Sequence, residues 1–168
     1  GATVLGMMQK FIFDETGLSN YIETFYPKTP KLVYFPDDNE PTRIFQNIKD
    51  LEIELKTKWN EDGDVKGFRN DENKVIDFLQ NLYKNGDSPN VAKANETLGN
   101  ELTDLWIKGS AYELLNNYFN SEKTKLYMGM TVTESGPASI YDEGTAFTIP
   151  LMDSGSIFNG YWGFVKQG

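Results

Sequence analysis

Any proton that this chain moves near neutral pH must ride on a carboxylate, a lysine or a tyrosine, because the sequence contains no histidine and no cysteine. Imidazole relays, thiolate nucleophiles, zinc–thiolate sites and disulfides are excluded with them. Among the chemistries left, the paired carboxylate has candidate groups: one acid raised in pKa and one ionised, as glycoside hydrolysis requires. Glu134, Asp142, Glu143 and Asp153 fall at or near the ends of expected strands, where such groups could converge. Each also lies in a turn containing glycine or serine, where acidic side chains sit by default.

Other constellations are weaker. Asn60-Glu61-Asp62-Gly63-Asp64 places oxygen ligands in succession like the start of a calcium loop. Such a loop needs glycine at its sixth position and glutamate at its twelfth. Here those positions are Val65 and Asp71, so a solvated turn is expected. Asp37-Asp38-Asn39-Glu40 is a second acidic turn, able at most to hold an ion weakly. Lys108 and Ser110 flank Gly109, but the spacing is not the S-x-x-K of serine–lysine enzymes. Neither glycine-rich nucleotide fingerprint occurs. Asn95-Glu96-Thr97 matches a glycosylation sequon inside an expected helix, where it is incidental. No motif calls for a metal or cofactor, and none names a reaction.

Contact chemistry has more to offer. The chain carries 23 aromatic residues: three tryptophans, nine tyrosines and eleven phenylalanines. Large rings either thicken a core or line a contact surface. The run Ile157 to Lys166 puts Phe158, Trp162 and Phe164 on one face of an expected strand, and Ile157, Tyr161 and Val165 on the other. Aromatics on both faces exceed what one buried face needs. Phe158, Tyr161, Trp162 and Phe164 are therefore the candidate binding residues, for a protein or a sugar. A covering layer or subunit would instead make them core.

The charge balance narrows the partner. A net charge of −9 opposes a nucleic-acid binder, whose affinity comes from neutralising phosphates. Of sixteen basic residues only Arg43 and Arg69 are arginine, so the bidentate fork that grips phosphate is scarce. A basic partner, or simple solubility, fits better. No segment has the ~18 apolar residues that span a bilayer. The apolar opening Gly1–Met8 lacks the charged flank and the length of a signal peptide.

These groups must be positioned by elements legible in the residue periodicity. Gln9–Phe13 reads as a strand, and Leu18–Tyr26 as a helix with Leu18, Tyr21, Ile22 and Phe25 on one face. Lys31–Phe35 reads as a strand, and Pro41 opens a short helix carrying Ile44, Phe45 and Ile48 inward. Leu51, Ile53, Leu55, Thr57 and Trp59 alternate with charged residues, which predicts one strand of a hairpin returning over Val65–Phe68.

Val75, Phe78, Leu79, Leu82 and Tyr83 predict a helix capped by Asn70 or Asp71 and stopped at Gly86. A further helix opens at Ser88-Pro89 and runs to about Phe119, with Gly109 as a point of division. Beyond residue 122, Leu126–Thr133, Phe147–Leu151 and Ile157–Lys166 read as strands of an antiparallel meander.

The expected fold is α+β in a single domain over residues 1–168. Its part up to about 121 is mixed and helical, and 122–168 is β-rich. The sheet, including the C-terminal meander, is expected to pack against two or three helices. The expected function is non-enzymatic contact with another protein or a second copy, as an assembly subunit or an acidic neutralising partner. The alternative is a carbohydrate-binding or carboxylate-dependent glycan-processing module.

Overall fold

A computed structural model describes residues 4–5, 8–134, 136–154 and 163–166. The order is β1 (Val4–Leu5), α1 (Lys10–Glu15), β2 (Thr24–Phe25), β3 (Lys31–Val33), β4 (Thr42–Ile44), α2 (Ile48–Trp59), α3 (Val65–Lys84) and α4 (Val91–Leu102), which continues as a π-helical stretch (Thr103–Lys108). There follow α5 (Ala111–Tyr118), α6 (Glu122–Glu134), a 3-10 turn (Thr145–Phe147), α7 (Thr148–Ser154) and β5 (Gly163–Val165). The α+β class holds, but its proportions are reversed from expectation. Seven α-helices among the described residues carry the fold, and the strands form two small antiparallel sheets, β1-β5-β2 and β3-β4.

The largest correction is at Leu51–Trp59, which is helical. A residue set with period two contains a set with period four, and a helix uses the latter. Leu51, Leu55 and Trp59 are buried on one face of α2, whereas Ile53, required inside by a strand, is 65% exposed. Glu52 and Glu54 stand four residues before Lys56 and Lys58, the orientation that supports a helix. Asn47 caps the start through Lys49 and Asp50 N–H. Val65–Phe68 is accordingly no returning strand. It is the first turn of α3, capped by Asp64 rather than by Asn70 or Asp71.

The same ambiguity operates at Leu126–Thr133. Thr124, Met128 and Val132 form the buried row of α6, while Leu126 and Met130 face outward. Phe147–Leu151 is likewise a 3-10 turn leading into α7, where Pro150 sits in the first turn and no N–H is missed. Two strands of the expected meander are thus helices, and the described residues of 122–168 are mainly helical. Of the third, Gly163–Val165 is strand β5, and Phe158, Tyr161 and Trp162 lie outside the described residues.

The N-terminal part shows the opposite exchange. Lys10–Glu15 is helical, with Lys10 paired to Asp14 one turn on. The expected helix at Leu18–Tyr26 is a 3-10 turn followed by β2. The helix expected from Pro41 is strand β4, whose Thr42 and Ile44 are buried around exposed Arg43. Lys31–Val33 is a strand as expected. The long helix after Ser88-Pro89 starts from Asn90, kinks at Gly99, whose φ of 81° is not helical, and is divided again at Gly109. A Cβ there would lie 2.5 Å from the Leu105 carbonyl oxygen, and Ser110 opens α5 with a capping box to Glu113.

One cluster of buried residues runs through α2 to α7. Its aromatic centre is Phe68, with ring centroids 5.0 Å from Trp106, 5.5 Å from Tyr118 and 4.8 Å from Phe119. Trp106 Nε1 donates to Tyr118 Oη, which donates to Asp71 at 2.7 Å, so the buried polar ends are satisfied. A smaller cluster around Phe13 gathers Met8, Leu18, Ile22 and Val165. No helix of the described residues is long and apolar enough to cross a membrane.

Candidate functional site

A cleft of about 560 Å³ opens between the β3–β4 hairpin and helices α3, α6 and α7. The run 30–35 forms one wall, its side chains alternating from Lys31 onward between half-buried and exposed as in any extended chain. Ile44, Phe45 and Gln46 extend it from β4. Tyr127, Met128, Met130 and Thr131 of α6 form the opposite wall, and Ile149 and Met152 of α7 close one end. Leu32, Tyr34 and Met130 stand at the rim, 64%, 62% and 51% exposed.

The floor is charged. Arg69 and Glu72 come from adjacent turns of α3, Asp153 from the end of α7, Glu134 from the end of α6, and Lys31 from β3. Arg69 Nη1 donates to Glu72 Oε2 at 2.5 Å and lies 3.7 Å from Asp153 Oδ2. Its guanidinium also rests 5.8 Å from the Phe68 ring centroid, against the core. Glu72 is only 2% exposed, and its second oxygen, Oε1, is buried with no hydrogen-bond partner. A buried carboxylate oxygen left in that state is costly unless a donor arrives.

Burial and the neighbouring Glu72 push the Asp153 carboxyl up to about 7. Arg69 and Lys31 oppose the rise without cancelling it. A protonated Asp153 can donate to Glu72, which is how two crowded carboxylates share one proton. Burial lowers the Lys31 ammonium despite Asp153 and Glu134 nearby. It also raises the Tyr127 phenol to about 12. Burial works against the charge of Arg69 too, but Glu72 and Asp153 outweigh it and keep the guanidinium protonated.

Two of the four carboxylates singled out in the sequence, Glu134 and Asp153, meet in this cleft. Asp142 instead accepts from Ser139 N–H within its own turn, and Glu143 stays exposed beside it. Phe164 is half-buried in β5, its ring centroid 5.8 Å from that of Phe25, so this residue packs within its own sheet. Ser110 caps α5 and Lys108 pairs with Asp104, so they form no dyad.

The acidic turns also have structural employment. Asp37 and Asp38 hold Lys123, and Glu40 holds Lys58. Glu61 is buried and accepts from Gly63, Asn120 and Ser121 N–H, tying the α2–α3 turn to the start of α6. No group of residues fit for a metal ion occurs among the described residues.

Arg69 and Glu72 escaped sequence reading. A signal was present: the two lie at the i, i+3 spacing of an ion pair within an amphipathic helix, each four residues from an apolar side chain destined for the core. Comparison of the chain with protein-family models, curated protein sequences and solved structures returned no match.

Proposed function

We propose that this chain acts by binding, and that a segment of a partner polypeptide docks in the cleft beside β3. The exposure of Leu32, Tyr34 and Met130 around an apolar-walled cavity carries the reading. Large apolar side chains gathered at the mouth of a pocket favour a contact that removes them from water. The adjoining extended run 30–35 adds backbone groups beside which a strand could lie. Peptide-display selection against the immobilised chain tests it. Peptides recovered by the wild type should lose at least tenfold in affinity for Leu32→Asp/Tyr34→Asp, with thermal stability unchanged. Failure to enrich any peptide, or equal binding to the double variant, would refute it. Light scattering over a concentration series separates a second copy of the chain from a different partner.

A second reading is favoured by the meeting of Glu72, Glu134 and Asp153 between the aromatic side chains of Tyr34, Phe45 and Tyr127. Paired carboxylates with ring platforms suit a carbohydrate and its hydrolysis. Trp59 packs at 5.5 Å from Phe35 and 6.0 Å from Tyr127, both cleft-lining, so its fluorescence reports an occupant. Oligosaccharides should shift that emission and Trp59→Phe should abolish the shift. A flat response across a broad glycan panel removes the reading.

A further inference from the structure

Resting on the docking reading, we propose that the floor of the cleft is a receptor for one cationic nitrogen, the lysine ammonium or arginine guanidinium of the docked segment, seated on Glu72 with Asp153 and Glu134 around it. The free oxygen of Glu72 is the starting point. One oxygen is committed to Arg69; the other, Oε1, is buried in a cleft-lining residue and has no donor once the proton on Asp153 is gone. That atom accepts only, so its complement is a donor.

Charge decides which donor. Two cations, Arg69 and Lys31, face three carboxylates, Glu72, Asp153 and Glu134, so full ionisation leaves one negative charge uncompensated. A neutral hydroxyl would satisfy the lone pair but leave that charge, whereas an ammonium or guanidinium answers both. An anion is disfavoured, since Arg69 is already turned to Glu72 and Asp153. Val33, Ile44, Met128 and Met152 line the approach, an apolar sleeve of the kind that long basic side chains fill with their methylene stems. The chain's net charge of −9 draws a basic segment towards this face.

Without the cation, the excess charge is removed by a proton on Asp153 donated towards Glu72. Proton and cation therefore compete for one place. The groups facing Asp153 are Arg69 and Glu72 of α3, Lys31 of β3, and Tyr127 and Glu134 of α6. As the pH falls through about 7, the proton taken up by Asp153 opposes binding.

The test uses n-butylammonium, a lysine side chain without its backbone, and n-butanol, its neutral counterpart. Methyl resonances of Met128 and Met152 follow occupancy. Butylammonium should bind saturably and at least tenfold more tightly than butanol. Its affinity should fall by up to tenfold per unit below pH 7, with proton release seen calorimetrically in buffers of different ionisation enthalpy. Glu72→Gln should abolish binding. Because it also strips Arg69 of a partner, Glu134→Gln, at the exposed end of α6, serves as the milder variant and should weaken binding several-fold.

Equal binding of butanol, or one affinity at pH 6 and 8, would overturn the inference. Selected peptides that keep their affinity when Lys or Arg is replaced by norleucine would also overturn it, while leaving the docking reading intact. Butylammonium capture by a chain that enriches no peptide would sink the docking reading alone.

Discussion

Replacing Asp153 by asparagine should abolish a slope of stability against pH that few proteins could show so cleanly. With no histidine or cysteine in the chain, no side chain has its ordinary pKa between 5 and 8. Asp153, raised from 3.8 to about 7, titrates in that window. The sign follows from proton counting. Between the unfolded and folded values the native state holds a proton that the unfolded chain has released. Stability contributed by that proton is present in mild acid and is lost as the pH rises through about 7.

A shift of this size corresponds to ~4 kcal/mol at full effect. The side chain keeps 19% exposure and has Arg69 3.7 Å away, so the charge is partly accommodated. About 2 kcal/mol lost between pH 5 and 8 is the discounted expectation. The asparagine side chain cannot ionise, yet its amide can donate to Glu72 at every pH. Urea unfolding at pH 5, 6, 7 and 8, followed by tryptophan fluorescence, should give a declining midpoint for the wild type and a level one for D153N. Parallel curves would mean that Asp153 is already ionised in the folded chain at pH 5, and the shared-proton account of the floor would be wrong.

Glu61→Ala should cost ~3 kcal/mol, because three backbone N–H groups lose a charged acceptor together; chemical unfolding measures it, and a change under ~1 kcal/mol would show those donors resolvated. Gly63→Ala should destabilise by at least ~2 kcal/mol, since its Cβ would lie 2.1 Å from the Tyr118 carbonyl oxygen. An unshifted thermal midpoint would place that turn differently. Tyr118→Phe removes both the acceptor of Trp106 Nε1 and the donor to Asp71. A loss of ~2 kcal/mol and an altered Trp106 emission are expected, and loss of stability without any emission change would argue against the indole contact.

The composition of the chain ruled its chemistry before any fold was known. Without imidazole or thiol, a site titrating near neutrality had to be a perturbed carboxylate or amine, and Asp153 is one. Caps and breakers were local and therefore partly legible: Gly109 divides the helical run, and Lys31–Val33 is a strand where a short β-prone run is ended by Pro36. Alternation was not decisive. In Leu51–Trp59 and Leu126–Thr133 the apolar residues satisfy period two and, at every second one, period four. Which subset is buried depends on what packs against it, and that is a property of the tertiary contacts. Glu134 and Asp153 could be named from the sequence, but not their meeting with Arg69 and Glu72. Those groups lie far apart along the chain, and only the packing of α3 and α7 removes Glu72 and Asp153 from water together, with Glu134 at the exposed end of α6. That shared burial, absent from any local pattern, leaves Asp153 with a proton it would not otherwise keep and Glu72 as the acceptor beside it.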